Sequence, residues 1–170
     1  MCHYTNANTA GGYIAIFEIT LIARASAQII GGDCVSLKPY MIKLERITPE
    51  MIDSLKEGEI FVFGSNVHGY HAGGAARFAL LRFGAIWGQG EGLQGQSYAI
   101  PTMEGMSNMI PAINRFIAFA REHQELRFYV TAIACGIAGY TPDEIAPHFR
   151  EAVSLENVCL PLSFWDVIEG

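Results

Sequence analysis

Residues 61–79 read FVFGSNVHGYHAGGAARFA. His68 and His71 are the only imidazoles or carboxylates between Glu59 and Arg77, and an imidazole can take and return a proton near neutral pH. They are therefore the acid/base candidates of this stretch. Asn66 both donates and accepts, which suits a pair of ribose hydroxyls. Gly64 and Ser65 allow a sharp turn beside it. Gly73 and Gly74, with Ala75, let main chain approach a ligand closely, just ahead of a helix whose first N–H groups favour an anion. The plain alternative is a tight strand-to-helix connection carrying surface histidines.

The device recurs in ACGIAGYTPDE, residues 134–144. Gly136 and Gly139 stand three apart after an apolar run, with Ile137 and Ala138 between them, Cys135 before and Tyr140 after. Such a stretch forms a concave row of backbone N–H groups able to wrap a diphosphate without lysine. That matters because the only lysines are Lys38, Lys43 and Lys56, all before the glycine-rich stretches. A helix N-terminus beside Cys135 would lower its thiol pKa, although a small buried side chain is the simpler role. A third loop, GQGEGLQGQ (88–96), adds Glu91 as an acid/base candidate and side-chain amides that could close over a nucleotide. Trp87 beside it could stack on an adenine.

The elements that must position these residues are legible from Met41 onward. Thr48 and Pro49 predict a helix over TPEMIDSLKEG, ending at Gly58. EIFVF (59–63), SYAIP (97–101), RFYVTAIAC (127–135) and NVCLP (157–161) read as strands. Helices are expected over 74–83, over 107–123 with Ile110, Ile113, Phe116, Ile117 and Ala120 on one face, and over 141–153. Strand and helix in alternation imply a three-layer α/β domain, a mostly parallel mixed sheet flanked by helices. Ligands in such sheets sit at the carboxyl ends of the strands, where loops 64–73, 102–106 and 135–141 emerge. Residues 1–40 lack this texture and hold only Glu18, Arg24, Asp33 and Lys38 as charges. They are expected to be an extension preceding a natural start at Met41, or else to supply an edge strand at 13–22; the single domain is 41–170.

Composition narrows the class. A chain of 170 residues, 51% hydrophobic and 16% charged, with 18 glycines, is globular. Its formal charge of -6 disfavours a generic nucleic-acid binder, which needs clustered Lys and Arg. Cys2, Cys34, Cys135 and Cys159 form no CxxC pair, so reduced thiols in a cytoplasmic protein are expected, without metal or cofactor. No apolar run is long enough to span a membrane. The motifs G-x-S-x-G, G-x-x-x-x-G-K and H-E-x-x-H are absent from the sequence, which sets aside the enzyme classes they mark.

The paired loops resemble the macro domain, an ADP-ribose-binding α/β module. Its pattern of aliphatics, Asn-Ala-Ala-Asn, a Gly-rich loop and a helix is similar to IFVFGSN followed by HAGGAARFA, and its Gly-x-x-Gly phosphate loop is similar to Gly136-Ile137-Ala138-Gly139-Tyr140. The chain is also similar to bacterial and phage-borne proteins carrying FGSN, GQGEGLQGQSYAIPT and CGIAGY. The resemblance implies ribose contact by Asn66 and an ADP-ribose-like nucleotide as partner. Phe63 stands where the family has its first asparagine. Ala75, Ala76 and Arg77 stand where hydrolysing members carry an Asp, and no lysine is available for the lysine-dependent branch. Binding is thus the first expectation. The alternatives are an ADP-ribosyl hydrolase or phosphoesterase using His68, His71 or Glu91, and a protein-interaction module without nucleotide.

Overall fold

The computed structural model describes residues 45–170. The expectations for residues 1–40, the start at Met41, Cys2 and Cys34 lie outside the described residues. Strand β1 (Glu59–Ser65) is apolar on both faces because both are covered. Ile60 and Val62 join one core cluster and Phe61 and Phe63 another, the alternation that a strand's two-residue period requires. Helix α1 (Gly74–Arg82) supplies Ala76 and Ala79 to the Phe61/Phe63 side.

Strands β2 (Gly92–Gln94) and β3 (Ser97–Pro101) follow, then helix α2 (Met106–Glu122). Helix α2 covers the Ile60/Val62 face with Met109, Ala112, Ile113, Phe116, Ile117 and Ala120. Met109, not the expected Ile110, starts that buried stripe. Phe116 is fully buried, and such a side chain contributes about 2–3 kcal/mol through burial. After β4 (Arg127–Val130) come a short helix α3 (Pro142–Ile145), a 3₁₀ helix (Ala146–Ser154), β5 (Val158–Cys159) and helix α4 (Leu162–Glu169). Among these described helices none is long and apolar enough to cross a membrane.

The sheet has the order β2-β3-β1-β4-β5. Strand β1 is central and parallel to both β3 and β4, β5 is parallel to β4, and only β2 runs antiparallel, against β3. Ser65 lies level with Pro101 and Val62 level with Val130. The loops that leave β1, β3 and β4 therefore emerge at one edge.

Several expectations need correction. Residues 48–56 form no helix. Ile47 bridges Leu160 in parallel, and Thr48 N–H donates to Leu160 O at 2.8 Å, so tertiary pairing draws out the chain where the cap pattern favours a helix. The run 127–135 is strand only to Val130. Thr131 closes it, its N–H and hydroxyl both donating to Val62 O at 3.0 and 2.9 Å. Ile133 is nonetheless buried, which is why the loop reads as more strand. The segment 141–153 divides between α3 and the 3₁₀ helix. Strand β2, hidden among glycines, and helix α4 have no counterpart in the sequence expectations.

Arg46 anchors the C-terminal part of the sheet. Its guanidinium donates to Val158 O, Val153 O and Ala152 O at 2.8–3.1 Å and lies over the Trp165 ring, while Trp165 Nε1 donates to Arg46 O at 3.1 Å. Burial lowers the pKa of this arginine. Each of its three guanidinium nitrogens nevertheless donates to a carbonyl, the pairing a buried cation requires.

Candidate functional site

A cleft of about 360 Å³ opens at the carboxyl edge of the sheet, within the usual range for small-molecule pockets. Gly64, Ser65 and Asn66 at the end of β1, and Gly73, Gly74 and Ala75 at the start of α1, form one wall. Gly136, Ile137 and Ala138, after β4, form the other. The structure thus brings together two sequence stretches seventy residues apart because β1 and β4 are parallel neighbours.

Among the described residues, no Lys, Arg, His, Asp or Glu lines this cleft. What it offers is main chain. The first intrahelical bond of α1 runs from Arg77 N–H to Gly73 O, so the N–H groups of Gly74, Ala75 and Ala76 have no partner inside the helix. No acidic residue occupies the helix's first turn, leaving its positive end uncompensated. Across the cleft, the N–H groups of Gly136, Ile137 and Ala138 donate to no protein acceptor among the described residues. Ala134, which also lines the cleft, is the one described non-glycine residue at positive φ, 62°, an uncommon conformation for alanine. A Cβ on Gly64 would lie 3.0 Å from Thr102 Oγ1 and 3.6 Å from Ala134 N. The ends of β1, β3 and β4 converge there because residue 64 has no side chain.

Asn66 works mainly within its own loop. Its Oδ1 accepts the N–H groups of His68 and Tyr70, and its Nδ2 donates to Tyr70 O, all at 3.1 Å. One amide hydrogen remains for a ligand, in place of the ribose pair of contacts expected from the sequence. The same loop is locked to the glycine/glutamine loop: a Cβ on Gly69 would sit 2.3 Å from Gln89 N, and one on Gly90 2.2 Å from Asn66 O. Glu104 Oε1 accepts Val67 N–H at 2.8 Å. The loop amides are also committed. Gln94 accepts Ile86 N–H at 2.6 Å and donates to Gln89 O at 2.9 Å, and Gln96 donates to Lys56 O at 2.8 Å. This loop is tied to neighbouring segments and none of its residues lines the cleft, so it is no flap over the site as the sequence suggested.

The remaining sequence candidates lie outside the cleft lining. His68 is exposed and stacks on Tyr70, ring centroids 5.4 Å apart, and Tyr70 stacks on Trp87 at 5.7 Å. His71 is fully buried, its Nε2 3.0 Å from Ser65 Oγ and its ring edge-on to Phe63. Burial pushes its pKa down, so the ring is neutral at physiological pH. Glu91 forms a two-point ion pair with Arg115 at 2.6 and 2.9 Å. Cys135, Gly139 and Tyr140 belong to the phosphate-loop candidate but not to the cleft surface. Burial first, and Glu144 second, raise the Cys135 pKa, opposite to the activation that a helix N-terminus would produce. Glu144 itself turns back to Thr141, accepting from its N–H at 2.8 Å and its hydroxyl at 3.0 Å.

Tyr70, Thr102, Met103 and Thr131 line the cleft without having been singled out. Their signal was positional: each lies in a segment leaving a parallel strand at its carboxyl end. A second depression of about 240 Å³ shares Gly74, Ala75 and Thr131 with the first and adds Pro49, Glu50, Met51, Ile52, Phe61 and Phe78. The two run together past the N-terminus of α1. Comparison of the chain with protein-family models, curated proteins and solved structures returns no match.

Proposed function

We propose that the chain binds ADP-ribose or a related nucleotide at the carboxyl edge of its sheet, as a macro-domain-like module. One observation carries the reading: two glycine-rich loops from adjacent parallel strands face one cleft, bringing, among the described residues, uncommitted backbone N–H groups and no ionised side chain. A polyanion is matched by such donors and repelled by none of the lining residues. The phosphates would bridge Gly136–Ala138 and the start of α1, and the free Asn66 amide hydrogen would meet a ribose hydroxyl. The adjoining depression, with Phe61 and Phe78 in its walls and Glu50 as an acceptor, suits a base with an exocyclic amine.

Binding is favoured over direct acid/base attack on the ligand by His68, His71 or Glu91, because none of the three lines the cleft. The test is calorimetric titration of the full chain with ADP-ribose. Micromolar affinity is expected, lost in Gly136→Val. Absence of heat with a folded protein sinks the nucleotide reading.

A further inference from the structure

A buried Ser–His pair sits at the end of the central strand. Ser65 Oγ and His71 Nε2 are 3.0 Å apart, Ser65 is 3% exposed and His71 0%. Ser65 belongs to the cleft lining whereas His71 stands behind it. The imidazole is also incompletely satisfied: its Nδ1 is buried without a hydrogen-bond partner among the described residues. A residue whose only task was to fill this position against Phe63 would be apolar, since an orphaned ring nitrogen at such depth is destabilising. The N–H of Asn66, the residue immediately after Ser65, donates to no protein acceptor among the described residues. A free N–H at that place is where acyl- and phosphoryl-transfer enzymes stabilise a developing oxyanion.

We propose that Ser65 and His71 form a nucleophile–base pair acting on an ester or phosphoester held in the cleft. Ser65 Oγ bonds to the carbonyl carbon or phosphorus while its proton passes to His71 Nε2. The bond to the leaving alcohol breaks, and that alcohol takes the proton from Nε2. Water then attacks the Ser65 ester, its proton passes to Nε2, and Ser65 Oγ departs with that proton, so the net change is hydrolysis. With no carboxylate on Nδ1 the imidazolium is poorly supported, and loss of such a partner costs on the order of 10⁴-fold in kcat in the serine proteases. Turnover is therefore slow, and a covalent adduct is the more sensitive readout. Nothing in this proposal requires the ligand to be a nucleotide.

The test is incubation of the full chain with diisopropyl fluorophosphate, whose fluoride is the leaving group, followed by intact-mass measurement and peptide mapping. A single adduct on Ser65 is expected, absent in Ser65→Ala and formed at least tenfold more slowly in His71→Gln. No adduct on the folded parent, an adduct that survives Ser65→Ala, or an equal rate in His71→Gln overturns the pair. Should His71→Gln not fold, the parent and Ser65→Ala decide the question between them. Labelling without heat from ADP-ribose supports the pair and removes the nucleotide reading; heat without labelling removes the pair alone.

Discussion

The loops that follow β1 and β4 are both rich in glycine, yet the glycines answer to different neighbours. After β1, Gly69 faces backbone of the glycine/glutamine loop, whose Gly90 faces Asn66 in return, and a Cβ on either would fall within 2.3 Å of main chain, whereas Gly74 at the end of the same connection stands open. In the second, a Cβ on Gly136 or Gly139 would meet nothing within 4 Å. The first set exists because two loops interlock main chain to main chain. The second leaves room that the described residues do not fill. Glycine content alone therefore does not identify a ligand site; the empty space beside the glycine does.

The largest expected effect tests the interlocked side. Gly90→Ala places its Cβ against Asn66 O and both Val67 O and C, main-chain atoms that cannot swing aside. Overpacking of this kind is expected to cost about 3 kcal/mol, read from urea unfolding, and to weaken the cleft wall with it. Full stability in this variant would mean that the two loops are not locked together. Gly136→Val probes the open side, where an added Cβ meets no atom of the described residues within 4 Å. Stability is expected to change by no more than about 0.5 kcal/mol, whereas ADP-ribose affinity falls at least about tenfold, about 1.4 kcal/mol. Equal affinity would detach the second glycine set from ligand binding.

A pH experiment addresses the neighbouring edge, where β3 meets α2. The Tyr98 phenol is pushed up from its ordinary 10.0 to about 12, by burial first and by Glu91 second, with Arg115 opposing. The folded state thus holds a proton that the unfolded state releases between those values. This contribution is complete below pH 10 and is lost as pH rises towards 12. Tyr98→Phe should flatten the fall in stability across that window, measured by denaturant unfolding at successive pH values; an unchanged slope would assign the alkaline loss elsewhere. The smallest effect is expected for Glu91→Gln, which breaks an ion pair whose side chains are 36% and 56% exposed for Glu91 and Arg115. About 0.5 kcal/mol or less is expected, with ADP-ribose binding intact. Abolished hydrolysis of an ADP-ribosyl ester in this variant would return Glu91 to a catalytic role.

Local pattern carried much of the fold. EIFVF and SYAIP are buried runs of the length that strands need, and the stripe around Ile113, Phe116 and Ile117 has helical spacing, so these elements were readable to within a residue or two. The cap pattern at Thr48 misled because pairing of Ile47 with Leu160 involves a partner more than a hundred residues away. Strand β2 was invisible because Gly92 and Gln94 carry no strand propensity and are held by pairing with β3.

The candidate site divides in the same way. The sequence by itself determined the residue types: backbone-permissive glycines beyond two buried strands, an absence of lysine beyond Lys56, and an alternating α/β order that sends those strands' ends to one edge. Those are local or compositional properties. Only the tertiary structure decided which groups share the cleft. It buried His71 behind Ser65, tied Glu91 to Arg115, turned most of the Asn66 amide onto its own loop, and left the Gly136–Ala138 N–H groups without protein acceptors among the described residues. Side-chain exposure and hydrogen-bond partnership are set by packing between distant segments, and no spacing along the chain encodes them.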